Sequence, residues 1–169
     1  MMKKRFMVML AAMMIVGGWG LTDTVVSAQQ KERRFVVVAS PAAYEAGKKW
    51  VSFLQSETVP VKHVLPGDFE AYKKEKYIAI LGTPSEPGGG GDIVSSLLTK
   101  EEKDWVSQQG NRKLFIKNDV WQKDQTIFVF AAYSQDAITS AIRESRDTWW
   151  DTIMSWFDIE VQPAKLRGY

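Results

Sequence analysis

Apolar positions along this chain follow two rhythms: short unbroken runs, and longer stretches in which they recur every three to four residues. Phe35-Val36-Val37-Val38-Ala39 is a run of the first kind, β-branched and uncharged, as expected of a strand covered on both faces. Ser40-Pro41 follows, giving an N-cap and a proline at the first helical position, where its missing N–H costs nothing. Ala43, Gly47, Trp50, Val51 and Leu54 then share one helical face, and Val59 to Leu65 reads as a second strand. Strand, helix and strand in this order open an α/β sheet.

Asp68 to Lys76 is short, charged and helix-favouring, and Tyr77-Ile78-Ala79-Ile80-Leu81 is a third strand, placed centrally because it carries no charge. Thr99-Lys100-Glu101-Glu102 fits a capping box, with Trp105 and Val106 on the apolar face of the helix and Gly110 at its end. Residues 113 to 117 and 126 to 131 are strands whose connection, 118 to 125, is too short for a crossover helix, so they form an antiparallel hairpin. Ser134 caps a long final helix running to about Phe157. The fold expected is α/β: a mixed sheet of about five strands, the first three mainly parallel, then a C-terminal β-hairpin and a long helix, in a single domain over residues 35–158 with a tail at 159–169.

The first residues obey a different pattern. Lys3, Lys4 and Arg5 precede an apolar run from Phe6 to about Gly20, and Val26-Ser27-Ala28 supplies small residues at a cleavage site. This is the layout of a secretory signal over residues 1–28, followed by a linker at 29–34; left uncleaved, it would be the chain's one tie to a membrane. Removing three cations (Lys3, Lys4, Arg5) and one anion (Asp23) from 22 basic and 20 acidic residues leaves 19 of each. The mature chain is therefore neutral, which argues against nucleic acid as a partner. With no cysteine in an exported chain, burial has to supply the stability.

Candidate chemistry centres on "LGTPSEPGGGGD", where four glycines follow the third strand. The stretch lacks the lysine and hydroxyl residue of a P-loop and the spaced glycines of a dinucleotide site, and Glu86 would repel a phosphate, so it reads as a flexible surface connection. Ligands of open α/β sheets nonetheless bind beyond the carboxyl ends of the strands. Ser40, Thr83, Gly88, Gly89, Gly90, Gly91, Asp92 and Ser134 gather on that edge and are the candidate ligand-binding residues, although Ser40 and Ser134 have capping helices as a second explanation. His63 is the one histidine and stands apart from any carboxylate in sequence, so neither a metal centre nor a catalytic triad is expected, and no cofactor is implied.

Six tryptophans, Trp50, Trp105, Trp121, Trp149, Trp150 and Trp156, lie beyond the leader. On the final helix Ile138, Ala141, Ile142, Ser145, Trp149, Ile153 and Trp156 form one stripe, which belongs to the core. Trp150, Met154 and Phe157 lie beside that stripe, and the expectation is that they are more exposed and mark a surface for a partner or for self-association.

The succession strand, helix, strand, "KYIAILGTP", capped helix, "RKLFIKNDVW", "QTIFVFAAYS" and helix resembles small α/β modules of cell-surface proteins. Over about residues 34 to 146 it is similar in outline to segments of archaeal S-layer proteins and to the non-catalytic N-terminal domain preceding the barrel of some glycoside hydrolases. The resemblance implies a surface setting and carries over no catalytic residue; the chain has no N-x-S/T sequon and no barrel. The expected function is that of a secreted, non-enzymatic domain, periplasmic or at the cell surface, binding a protein or glycan at the cell envelope. The alternative is a small exported hydrolase acting on cell-wall or surface carbohydrate through acidic residues among Glu86, Asp92, Asp119 and Asp124.

Overall fold

A computed structural model describes residues 33–160, so the signal over 1–28, the linker up to residue 32 and the tail from residue 161 lie outside the described residues. Strands β1 (Phe35–Ala39), β2 (Val61–Val64), β3 (Tyr77–Gly82), β4 (Arg112–Asn118) and β5 (Thr126–Ala132) make a five-stranded sheet in the order β2-β1-β3-β5-β4. The pairings of β1 with β2, β1 with β3 and β3 with β5 are parallel, and β4 closes the edge antiparallel to β5. The mixed sheet, the parallel first three strands and the hairpin are as the connection lengths require.

Alternation along the strands feeds two cores. Phe35, Val37, Ala39, Ala79, Leu81 and Phe130 face helices α1 (Pro41–Ser56), α4 (Ile138–Glu144) and α5 (Arg146–Trp156). Val36, Val38, Ile78, Ile80, Ile127 and Val129 face a 3-10 helix (Pro66–Tyr72), α2 (Gly90–Leu97) and α3 (Lys100–Val106). Because both faces of β1, β3 and β5 are covered, their sequences are continuous apolar runs. Gly47 brings α1 close to the sheet: a Cβ there would stand 2.5 Å from Leu81 Cδ1.

Two caps hold as the sequence indicates. Ser40 Oγ accepts from the Ala43 N–H at 3.2 Å, and the capping box is complete, with the Glu102 N–H donating to Thr99 Oγ1 and the Thr99 N–H donating to Glu102 Oε2. Other boundaries move. The second strand covers Val61–Val64, shorter than Val59 to Leu65, because Pro60 and Pro66 flank it. Helix α3 ends at Val106, leaving Gly110 (φ +88°) in the turn that leads into β4, and Trp105 is 42% exposed instead of lying on the apolar face.

The long final helix is in fact two. Ser145 (φ −97°, ψ 15°) departs from helical dihedrals although its N–H still donates to the Ala141 carbonyl, which its hydroxyl also bonds at 2.7 Å, a local side-chain bond of the kind that bends helices. The indole Nε1 of Trp149 then donates to the Ile142 carbonyl at 2.7 Å, satisfying an acceptor that the break releases. Ser134 does not cap by its side chain; α4 begins after Ala137, whose N–H is bonded to the Ser134 carbonyl.

The break also overturns the expected partner surface. Trp150, Met154 and Phe157 are 3%, 1% and 1% exposed and belong to the core. Adjacent tryptophans do point apart on a helix, but α5 sits in the angle between the sheet and α1, so both directions are covered. Trp149 meets Trp50 edge-on at 5.7 Å, Trp150 lies 5.0 Å from Phe53 of α1, and Phe157 packs 5.7 Å from Tyr77. Trp156 is half-buried and stacks on Tyr77 at 4.4 Å.

Two predictions follow from these contacts. Trp149→Ala and Trp150→Ala each lower unfolding stability by about 3 to 5 kcal/mol in urea titrations; near-neutral behaviour of Trp150→Ala would contradict its burial. The second concerns Glu102, which receives a bond of 2.7 Å from Lys117 of β4. Partial burial pushes its carboxyl up, but the bonds from Lys117 and the Thr99 N–H, with the charges of Lys117 and Lys113, outweigh that and hold it below its ordinary value of 4.5. A lowered folded value contributes stability above the unfolded pKa that is lost as the pH falls through the folded one. Glu102→Gln, which keeps the capping geometry, should therefore destabilise at pH 7 by a few tenths of a kcal/mol, and the difference should close on acidification below about pH 4.5.

Candidate functional site

The four glycines are not a free connection. Gly88 (φ +79°) and Gly89 (φ +88°) make the left-handed turn, and Gly90 and Gly91 are buried in the first turn of α2. What buries them is Glu86, itself 7% exposed. Its carboxylate accepts from Gln135 Nε2 at 3.1 Å and from the Thr83 N–H at 3.4 Å, and lies against Gly82 and Gly90. A Cβ on Gly82 would stand 2.8 Å from Glu86 Oε2, and one on Gly91 would stand 2.4 Å from the Glu86 carbonyl oxygen. The glycines thus let the chain fold its own carboxylate into the start of a helix, where a negative charge is favoured. This corrects the reading of a flexible loop: the turn is closed around Glu86.

The run therefore divides by function. Gly90 and Gly91, with Thr83 (4% exposed), line this closed interior, whereas Gly89 and Asp92 face outward into a groove of about 330 Å³ on the same side of the sheet. One wall is the 3-10 helix with Pro66 and Glu70, continued by Lys73; the other is α2 with Asp92, Ile93 and Ser96. Phe69 is buried at the base, and Trp121 reaches in from the hairpin loop between β4 and β5, packed edge-on against Phe69 at 5.2 Å. Lys73 stands 5.7 Å from the Trp121 ring and is ion-paired to Glu70. Gly88 is exposed at the turn itself.

Trp121 was not among the candidates, yet one aromatic in the polar loop "NDVWQKDQ" is a signal of a kind, since nothing in the loop needs it. Ser40 and Ser134 serve their helix starts, the first through its side chain and the second through its carbonyl. His63 stacks on Tyr44 at 3.9 Å and bonds the Ala39 carbonyl at 3.1 Å, beside an open trough of about 510 Å³ along the edge strand β2. That trough is built from the contiguous stretch 62–72, whereas the Trp121 groove joins three segments distant in sequence and places an aromatic ring beside several polar side chains, a combination found in ligand sites.

The acidic residues do not form one constellation. Asp119 and Asp124 hold left-handed backbone (φ +54° and +60°) in the hairpin loop, where Asp119 Oδ1 accepts the Asp124 N–H. Glu86 follows the opposite end of β3, roughly 17 Å away along a strand rising about 3.3 Å per residue. Among the described residues no group of three potential metal ligands comes together, and no helix is long and apolar enough to cross a membrane. Comparison with protein families, with curated proteins and with solved structures finds no match.

The closed interior can be tested through its glycines. Gly91→Ala should cost about 1 to 3 kcal/mol, since its Cβ meets backbone that cannot give way. Gly67→Ala, with nothing within 4 Å, should stay within about 0.5 kcal/mol of the parent in the same denaturation assay.

Proposed function

We propose that this chain is an exported, non-enzymatic α/β domain that binds a partner at the cell envelope. The observation that carries the reading is the groove between the 3-10 helix and α2, where an aromatic ring and side chains of both charges converge on a concave surface. Its volume lies at the lower end of the range of ligand sites, about 300 to 1,000 Å³. The leader-like start of the sequence supports export, and the outline resemblance to small modules of surface proteins supports the envelope setting. Of the four acidic residues of the hydrolase alternative, Glu86, Asp119 and Asp124 are engaged in holding a turn or a helix start, and Asp92 alone lines the groove, which supports binding over hydrolysis.

The test is capture from envelope extracts on the immobilised full chain, run beside Asp92→Lys, which reverses a charge at the groove without touching the core. A specific component retained by the parent and lost by the variant is the expected result. Equal retention by both would remove the groove from the reading, and no specific retention by either would remove the reading itself.

A further inference from the structure

The geometry points to a neutral sugar as the ligand of the Trp121 groove, with the indole as the platform on which a pyranose ring stacks. This rests on the reading of the groove as a binding site and commits it to one ligand class.

The base and the rim ask for different things. Trp121 is half-buried and held upright by Phe69, which meets it edge-on at 5.2 Å and 72°. An indole fixed in this way presents apolar area at little further cost in conformational entropy, and the C–H face of a pyranose is a natural match for it. Around the ring, each wall carries hydrogen-bonding side chains. Glu70 stands on the 3-10 helix and Lys73 just past its end, and Asp92 and Ser96 stand on α2. Carboxylates accept, an ammonium donates, and the Ser96 hydroxyl, which gives its own proton to the Ile93 carbonyl at 2.8 Å, can still accept, a mixture suited to adjacent sugar hydroxyls. A purely apolar ligand would desolvate the Asp92 carboxylate and the Glu70–Lys73 pair without replacing the water they lose.

Charge narrows the class. Two carboxylates face one ammonium, so the groove is slightly acidic and disfavours phosphates, uronates and other anions. The Lys73 ammonium near the indole is tied to Glu70, three residues earlier, so its charge is already countered. One end of the groove is bordered by the backbone of Gly89. Gly89 has φ +88°, a backbone conformation that favours glycine, and a Cβ there would make ordinary contact with Pro66 Cβ at 3.7 Å. The turn thus buries Glu86 on one side and borders the groove on the other.

The experiment is titration of the full chain, kept in detergent where its leader is retained, with cellobiose, maltose and N,N′-diacetylchitobiose as neutral probes and a glucuronate-containing disaccharide as the anionic one. At least one neutral disaccharide should bind, the anionic one about tenfold or more weakly. Asp92→Ala and Trp121→Ala should each weaken that binding by about tenfold or more, while Lys49→Ala, on the far face, leaves it unchanged. Asp92 is exposed, so its variant tests the groove without threatening the fold, and near-ultraviolet circular dichroism checks that Trp121→Ala stays native. Binding of none of the neutral probes, or binding that both groove variants leave intact, overturns the inference. If the sugars fail while envelope capture still depends on Asp92, the sugar assignment falls and the binding reading stands; if both fail, both fall.

Discussion

The structure depends on β3 being covered on both faces. Every residue from Tyr77 to Gly82 is buried, with β1 on one side and β5 on the other, so the strand can carry neither charge nor polar alternation. That single requirement fixes the layering. Side chains of odd register (Tyr77, Ala79, Leu81) meet α1 and the aromatic layer of α5, and those of even register (Ile78, Ile80) meet the 3-10 helix and α2. Each helix layer in turn exists because this sheet gives it a surface to bury against.

The carboxyl end of β3 is where structure and possible function divide. In many open α/β sheets such an end presents helix N–H groups to a ligand. Here Glu86 occupies that position, held by Gln135 from the segment after β5, and the turn closes on itself. The consequence is a displaced opening: the side of the turn that remains accessible looks into the groove between the 3-10 helix and α2, where Trp121 arrives from the other end of the sheet. The site proposed for this protein is thus set off from the strand ends and built by three segments that the sheet brings together.

The aromatic layer shows a related economy. Trp149 both fills the core beside Trp50 and repairs the helix break at Ser145 with its indole N–H, so one side chain serves packing and backbone satisfaction together. Trp150 has no such second role. Its indole N–H finds no hydrogen-bond partner, and it is retained by its contact with Phe53 and by burial alone.

The sequence alone determined the elements whose cause is local. Unbroken apolar runs became the buried strands, Ser40 and the Thr99–Glu102 box became caps, and a connection too short for a helix made β4 and β5 antiparallel. These follow from burial, from the unsatisfied N–H groups of a helix start and from chain length, all of which can be counted along the chain. Tertiary structure decided whatever depends on what lies opposite. The direction of Trp150 was legible, but whether α1 or solvent awaited it was not. The glycines were legible as a turn, but their purpose appeared only when Glu86, from four residues earlier, and Gln135, from far along the chain, met inside it. The groove is the extreme case: Gly89, Asp92, Lys73 and Trp121 become neighbours because the sheet fixes the distances between three loops and helices, and no local pattern encodes that meeting.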